Sequence, residues 1–363
     1  MEKKNISKIK RKLGHHIWLS RLMILVAAVL VLGLLFWMLS APIWGFLTQI
    51  WRGPKAITTF FSDPLYTLPS YEARTNVLLI GMGGEEHDGG KLTDTIIFMA
   101  LDLKHDQISM LSIPRDIWVP SLGTKINAAY AIGAQESTAS GYTILEDAVY
   151  EIVDQPIHYI VGVDFDGFEE LVDALGGVSV HVDRGFVDER YPIRGKGMDD
   201  CGGDPEFGCR YETLSFEPGD QIMDGKTALK FARSRYAQGE EGTDYARSLR
   251  QQKVILAVKD AISDGNVLLN PSKLLELKGI FDRYIVVDPE LGDDEYAGFA
   301  SFALAFWRSG NEIKTITLDQ GSEEVPGFLV NPPIQVYDAW VLEPRGASWD
   351  QFQAYFRQVL NAE

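Results

Sequence analysis

Four short, unbroken apolar runs constrain the fold more than any other feature of this chain: NVLLIG (76–81), TIIFMAL (95–101), QISMLSI (107–113) and HYIVGVDF (158–165). Each is rich in β-branched residues and bounded by Gly, Pro or Asp. A strand with one face in water alternates apolar with polar residues. These runs do not alternate, so they read as strands covered on both faces. Helix-like segments interleave with them: KINAAYAIGA (125–134), YTILEDAVYEIV (142–153), FEELVDAL (168–175) and SLRQQKVILAVKDAI (248–262). The unbroken interleaving predicts one α/β domain with helices on both sides of a sheet. The length of 363 residues and a hydrophobic content of 46% give such a domain material for a full core. The polar, glycine-rich segment 184–222 predicts an excursion over the surface.

The N-terminus reads differently. Residues 1–21 carry seven basic side chains against one acid, Glu2, and Leu22–Leu39 is an uncharged apolar run of 18 residues. Apolar character continues to Leu47, long enough for the roughly 20 residues that cross a bilayer. A cleaved signal peptide would have an apolar region of only about 7–15 residues before a small-residue cleavage site. The expectation is therefore a signal-anchor: 1–21 a cytoplasmic basic tail, 22–47 a single transmembrane helix and 48–72 a linker. Residues 73–363 then form an extracytoplasmic domain at the cell membrane. Subtracting the tail's +6 from the formal −17 leaves −23 on the remainder. So acidic an exterior repels nucleic acid and argues against it as a partner. Cys201 and Cys209, the only cysteines, lie in CGGDPEFGC. Outside the cytoplasm such a pair most simply closes a loop as a disulfide, since a metal site needs more ligands than this loop offers.

Nucleotide signatures fit poorly. LLIGMGGEE follows a strand, yet matches neither G-x-x-x-x-G-K-[ST] nor G-x-G-x-x-G. More informative is TDYARSLRQQKVILAVKDAI (243–262), where Asp244, Arg247, Gln251, Val254, Ile255, Val258 and Ile262 share one helical face. Its apolar second half should pack on the sheet, so its first half aims Asp244, Arg247 and Gln251 inward near a helix start. Such a group suits an anion, or alternatively a structural Asp–Arg pair. In GKTALKFARSRYAQG, Arg233 and Arg235 stand two residues apart and can face one ligand only if the helix is ending there. With Arg115, Lys125, Arg247 and Arg250 they concentrate guanidinium and ammonium groups at element ends, a pattern suited to a pyrophosphate. Asp94, just before a strand, reads as a cap or turn residue, or beside phosphates as a Mg²⁺ ligand. Pro114 ends the strand before Arg115, and Asp116 is expected to orient Arg115 or cap the next turn.

NVLLIG followed by TDT, then SIPRD, KINAAY, GFEELVDALGGVSVHV, DGKTALKFARSR and DYARSLRQQ, in that order behind one N-terminal anchor, resembles the LytR–CpsA–Psr family over about residues 74–262. The resemblance implies a mixed central sheet between helices. It also implies an extracytoplasmic phosphotransferase that moves a glycopolymer from a polyprenyl-pyrophosphate lipid to peptidoglycan or another cell-surface acceptor, as a phosphodiester. Position by position, Arg115, Lys125, Arg233, Arg235, Arg247 and Gln251 would hold the pyrophosphate, with Arg115, Asp244 and Arg247 the catalytic residues. Asp244 would order the arginines or assist proton transfer, and Asp94 would bind Mg²⁺. One departure is informative. The family's G-x-D-x-R after the first strand is here Gly81-Met82-Gly83-Gly84-Glu85, and Leu92 stands where an arginine is common. A replacement metal carboxylate would be Asp88, beside His87. The missing carboxylate also motivates an alternative, a membrane-anchored binder of lipid-pyrophosphate glycans without transferase activity.

Overall fold

The computed structural model describes residues 67–84, 90–263, 267, 270–321 and 324–362, all within one of the chain's two compact units. The expected tail 1–21, the anchor 22–47 and the linker as far as residue 66 lie outside the described residues, as do His87 and Asp88. Among the described residues no helix is long and apolar enough to cross a membrane.

The chain opens with three strands, β1 (Arg74–Met82), β2 (Thr93–Asp102) and β3 (Gln107–Ser112), then the short β4 (Trp118–Val119) and β5 (Thr124–Lys125). Helices α1 (Ala129–Gly133) and α2 (Thr138–Val153), strand β6 (Tyr159–Asp164) and helix α3 (Phe165–Leu175) follow. Next come β7 (Val178–Val182), β8 (Phe186–Pro192), β9 (Tyr211–Phe216), β10 (Gly219–Met223), α4 (Gly225–Arg233) and α5 (Asp244–Ser263). The chain continues through α6 (Pro271–Tyr284), β11 (Ile285–Asp288), α7 (Asp293–Ser309), β12 (Lys314–Thr317), β13 (Leu329–Val330), β14 (Glu343–Pro344) and α8 (Asp350–Leu360).

The four apolar runs fall on β1, β2, β3 and β6, neighbours in a six-stranded sheet of order β11-β6-β1-β2-β3-β12. The sheet is mixed: β1 with β6 and β3 with β12 run parallel, and the other pairs antiparallel. Its register explains the unbroken hydrophobicity. Ile160, Leu78, Phe98, Leu111 and Ile316 stand side by side across five strands and all face one core. That core is closed by Leu145, Val149 and Ile152 of α2 and by Phe352 and Phe356 of α8. One residue along each strand, Tyr159, Val77 and Met99 face the opposite core, closed by Phe302 and Phe306 of α7. Successive side chains of a strand point to opposite faces, so covering both faces demands apolar residues at every position.

A third core lies to the side, where β7 to β10 pack with α3, α4 and α5 through Val172, Val180, Phe186, Leu214, Phe216, Phe231 and Val254. It corrects the expectation for 184–222. Within that segment β8 and β9 pair and bury Phe186, Tyr191, Leu214 and Phe216. Only the tip, 193–210, is largely exposed, and there Cys201 and Cys209 form a disulfide. Hydrophobic spacing on each strand was masked by the many polar residues of the tip.

Helix α5 also departs from a single-faced reading. Ala246, Arg247, Ser248, Arg250, Gln251 and Gln252 are all buried, whereas Ile255, Val258 and Ile262 are only partly so. The first turns are wedged between α4, β7 and the β3–β12 edge, so burial there runs almost all the way round.

Candidate functional site

The strand directions bring four C-terminal ends, of β1, β3, β6 and β12, and the N-terminal ends of β2 and β11 to the same sheet edge. Met82 of β1 stands beside both Asp164 of β6 and Thr93 of β2, and Ser112 of β3 stands beside Thr317 of β12. Ligands of α/β sheets commonly sit beyond carboxyl ends of this kind. Asp94 is the second residue of β2 at this edge, and Arg115 follows the end of β3. The ladder of β3 closes with the Ile113 amide donating to the Ile96 carbonyl at 2.9 Å; Pro114 then supplies no amide. The next turn is held from two sides. The Arg115 carbonyl accepts from the Asn127 amide at 3.2 Å, and the Asp116 carbonyl from the Leu342 amide at 3.0 Å. This backbone clamp fixes the point from which Arg115 projects.

Arg115 donates to Asp94 Oδ1, and Asp94 Oδ2 lies 3.9 Å from Arg233 Nη2. Asp116 is buried, 3.5 Å from Arg115 Nε, and accepts from Lys125 Nζ at 2.6 Å. Asp116 thus orients the cations rather than capping a turn. Burial opposes its charge, but the Lys125 hydrogen bond and the nearby Arg115, Lys125 and Arg247 hold its carboxyl below the usual range. Burial also opposes the charge of Arg115, yet Asp94, Asp116 and Asp244 together raise its pKa.

Arg233 ends α4, places its guanidinium carbon 3.9 Å from the centre of the Phe165 ring and approaches Tyr191 Oη at 3.5 Å. The helix stops here, as joint use of Arg233 and Arg235 requires: Ser234 is already extended, with ψ 135°. The stop is enforced by Asp188, a carboxylate with 0% exposure. Its Oδ2 accepts from Ser234 Oγ at 2.7 Å, from the Arg235 amide at 3.1 Å and from the Tyr236 amide at 3.2 Å. Arg235 is exposed and reaches the group by its field alone, felt at Arg247.

Arg247 donates from Nη2 to Asp244 Oδ1 at 2.9 Å and is only 5% exposed. Burial pushes its pKa down to about 10; Asp244 and Asp116 work against that, while Arg115 and Arg235 add to it. A guanidinium so desolvated among other cations is stabilised by any anion that joins it. Gln251 is buried one turn further along and donates to no partner among the described residues. The structure therefore brings Asp94, Arg115, Asp116, Lys125, Arg233, Asp244 and Arg247 to one place.

Arg250 belongs elsewhere. Its Nε donates to the Phe231 carbonyl at 3.0 Å, Nη2 to the Ser234 carbonyl at 2.6 Å, and Nη1 to the Glu241 carbonyl and carboxylate, each at 2.9 Å. It straps α5 to the end of α4. Gln252 performs the matching task toward the sheet, donating to Ser112 Oγ and the Ile316 carbonyl, both at 2.9 Å. Sequence reasoning passed over Asp188 and Gln252. Asp188 had one signal: it occupies an inward position of β8, two residues after buried Phe186, where an apolar residue is expected.

Of the expected magnesium ligands only Asp94 lies among the described residues. Both oxygens of Asp94 face arginines, and Gly83 offers no side chain. Among the described residues the one triad of potential ligands is Asp199, Cys201 and Cys209, whose sulfurs are bonded to each other.

The model of the LytR_cpsA_psr family matches residues 58–331. A polyisoprenyl-teichoic acid–peptidoglycan teichoic acid transferase, TagU of Halalkalibacterium halodurans, is 33% identical over 188 residues, covering 50% of this chain and 51% of that protein. The chain thus spans about half the length of the curated relatives it matches. The fold matches the crystal structure of TagV from Bacillus subtilis at a TM-score of 0.54 and 22% identity, covering 81% of this chain and 100% of the other. TagT bound to LIIa-WTA matches at 0.52 and 20%, covering 83% and 94%.

Proposed function

This chain belongs to the LytR_cpsA_psr family, and from that membership we propose that it transfers a glycopolymer from a polyprenyl-pyrophosphate carrier to a peptidoglycan-like cell-wall acceptor. The observation that carries the reading is the meeting of Arg115, Arg233 and Arg247 at one sheet edge, ordered by Asp94, Asp116 and Asp244. The transferase names of relatives and the wall-polymer complex of TagT support it.

In the proposed step a hydroxyl oxygen of the acceptor attacks the phosphorus attached to the glycan. The new P–O bond forms as the bond to the bridging oxygen breaks, and polyprenyl phosphate leaves with the electron pair. The hydroxyl proton passes to a carboxylate, for which we assign Asp244. Phosphoryl transfer depends mainly on positioning and charge neutralisation, and arginines held by the buried Asp116 and the partly buried Asp94 and Asp244 provide both. Lys125, Arg235 and Gln251 complete the proposed pyrophosphate shell. Magnesium would need Asp88 beside Asp94, and no step here runs through a metal. The proposed setting is the outer face of the cell membrane, with residues 22–47 as anchor.

The test incubates the full chain in detergent micelles with a polyprenyl-pyrophosphate glycan and a peptidoglycan fragment, following release of polyprenyl phosphate. Acceptor-dependent release is expected. Tight donor binding without release would replace the transferase by a binder, and normal donor affinity in Arg115→Ala would sink the pyrophosphate assignment.

A further inference from the structure

From Asp244 the surface opens into a cleft of about 790 Å³, whose other lining residues take no part in the chemistry above. We propose that this cleft seats the acceptor, and that its occupant is a neutral glycan strand rather than the lipid tail of the donor; the proposal rests on the transferase reading.

The position comes first. Pro114 and Asp244 both line the cleft, so it begins where the turn of Arg115 and the first turn of α5 meet. A strand lying in it would reach the phosphorus from the side on which Asp244 waits for a proton. The lining comes second. Its floor is hydrocarbon, Leu318, Leu329 and Leu342, all buried in the main core, and Trp340 stands at its wall with 38% exposure. Its other walls carry the carboxylates Asp183, Glu240, Glu241 and Asp319. Lys253, Arg184 and Arg250 pair with the first three, whereas Asp319 has no cation within ion-pair distance among the described residues. Among the described residues the Asp319 carboxylate accepts the Gly321 amide, at 3.1 Å, and burial pushes its carboxyl above the usual range.

The combination selects by chemistry. A polyprenyl tail wants hydrocarbon on every side and would strip water from these carboxylates. A phosphate-bearing polymer would meet Asp319, whose charge no cation offsets among the described residues. A sugar ring has an apolar face that packs on indole or leucine and a rim of hydroxyls that donate to carboxylates, matching floor and walls in turn.

The experiment uses the full chain in micelles, with Trp340→Ala and the near-isosteric Asp319→Asn as variants. Three quantities are read: KM for a peptidoglycan fragment, Kd for the donor, and Kd for chitotetraose by calorimetry. Each variant should raise acceptor KM and chitotetraose Kd by about fivefold, with donor Kd held within about twofold. Weaker donor binding with unchanged acceptor KM would give the cleft to the lipid tail and overturn the proposal. Unchanged values throughout, or no chitotetraose binding by the wild-type chain, would overturn it equally. A wild-type chain that releases no polyprenyl phosphate would reject the transferase reading alone, because chitotetraose binding still judges the cleft.

Discussion

Replacing Arg250 by Met separates a strap from a ligand. Arg250 is 3% exposed, and its side chain donates to the Phe231 and Ser234 carbonyls in the protein interior. Methionine keeps much of the stem but leaves both carbonyls unpaired, at about 1–3 kcal/mol each. The guanidinium also lies 4.8 Å over the Phe186 ring, a contact of about 0.5–2 kcal/mol. Against these losses stands relief from holding a desolvated charge, since burial lowers the Arg250 pKa despite Glu241. The net cost is about 2–5 kcal/mol. With an m-value of about 2–3 kcal/mol per molar, the urea midpoint should fall by about 1–2 M, read by tryptophan fluorescence of the full chain. Donor affinity should fall as well, because Ser234 and Arg233 lose their anchor. A midpoint unchanged within about 0.2 M combined with lost donor binding would refute the reasoning and make Arg250 a ligand.

Arg115→Ala should act in the opposite sense: Asp94 keeps Arg233 and Asp116 keeps Lys125, so thermal stability changes little while donor Kd rises by about tenfold to a hundredfold, measured by calorimetry. Asp116 sets an acid limit. Its carboxyl is held low in the folded chain, so its stabilising contribution is complete above the unfolded value of about 3.9 and disappears as pH falls through the lower folded value. Asp116→Asn should therefore flatten the stability profile below about pH 4, read by urea midpoints at successive pH values. Reducing the Cys201–Cys209 bond frees a loop of sequence separation 8 and should lower stability by at most about 2.5 kcal/mol. That loop lies at an exposed hairpin tip, so donor affinity should survive reduction; a loss would tie the tip to the site.

The central sheet was legible because its strands are covered on both faces, which writes burial into every position of NVLLIG and TIIFMAL. The hairpin β8–β9 was not, because Phe186, Tyr191, Leu214 and Phe216 are diluted by the polar tip between them. Within the site, motif order named Arg115, Arg233, Arg247 and Asp244, and the constraint on Arg233 and Arg235 foresaw that their helix must end. Arg250 shows where such reading stops. It carries the same charge as Arg247 and lies three residues further along the same helix, and only the carbonyls of Phe231 and Ser234 assign it a different task. Asp188 and Gln252 carry the same lesson, since a buried polar side chain is indistinguishable from a surface one until its partners are placed.

Gln252 joins the arginine-bearing helix to the backbone of β12 and to a side chain of β3, while Arg250 ties it to its neighbour. A helix pinned along two directions cannot slide to meet its ligand. The disorder of the cationic groups is therefore removed when the chain folds, not when a substrate arrives. Capture of the donor should then have a modest entropic penalty at the protein. Under the proposed function, adaptability to polymers of varied length is left to the ligand's own flexible chain, outside the ring of fixed charges.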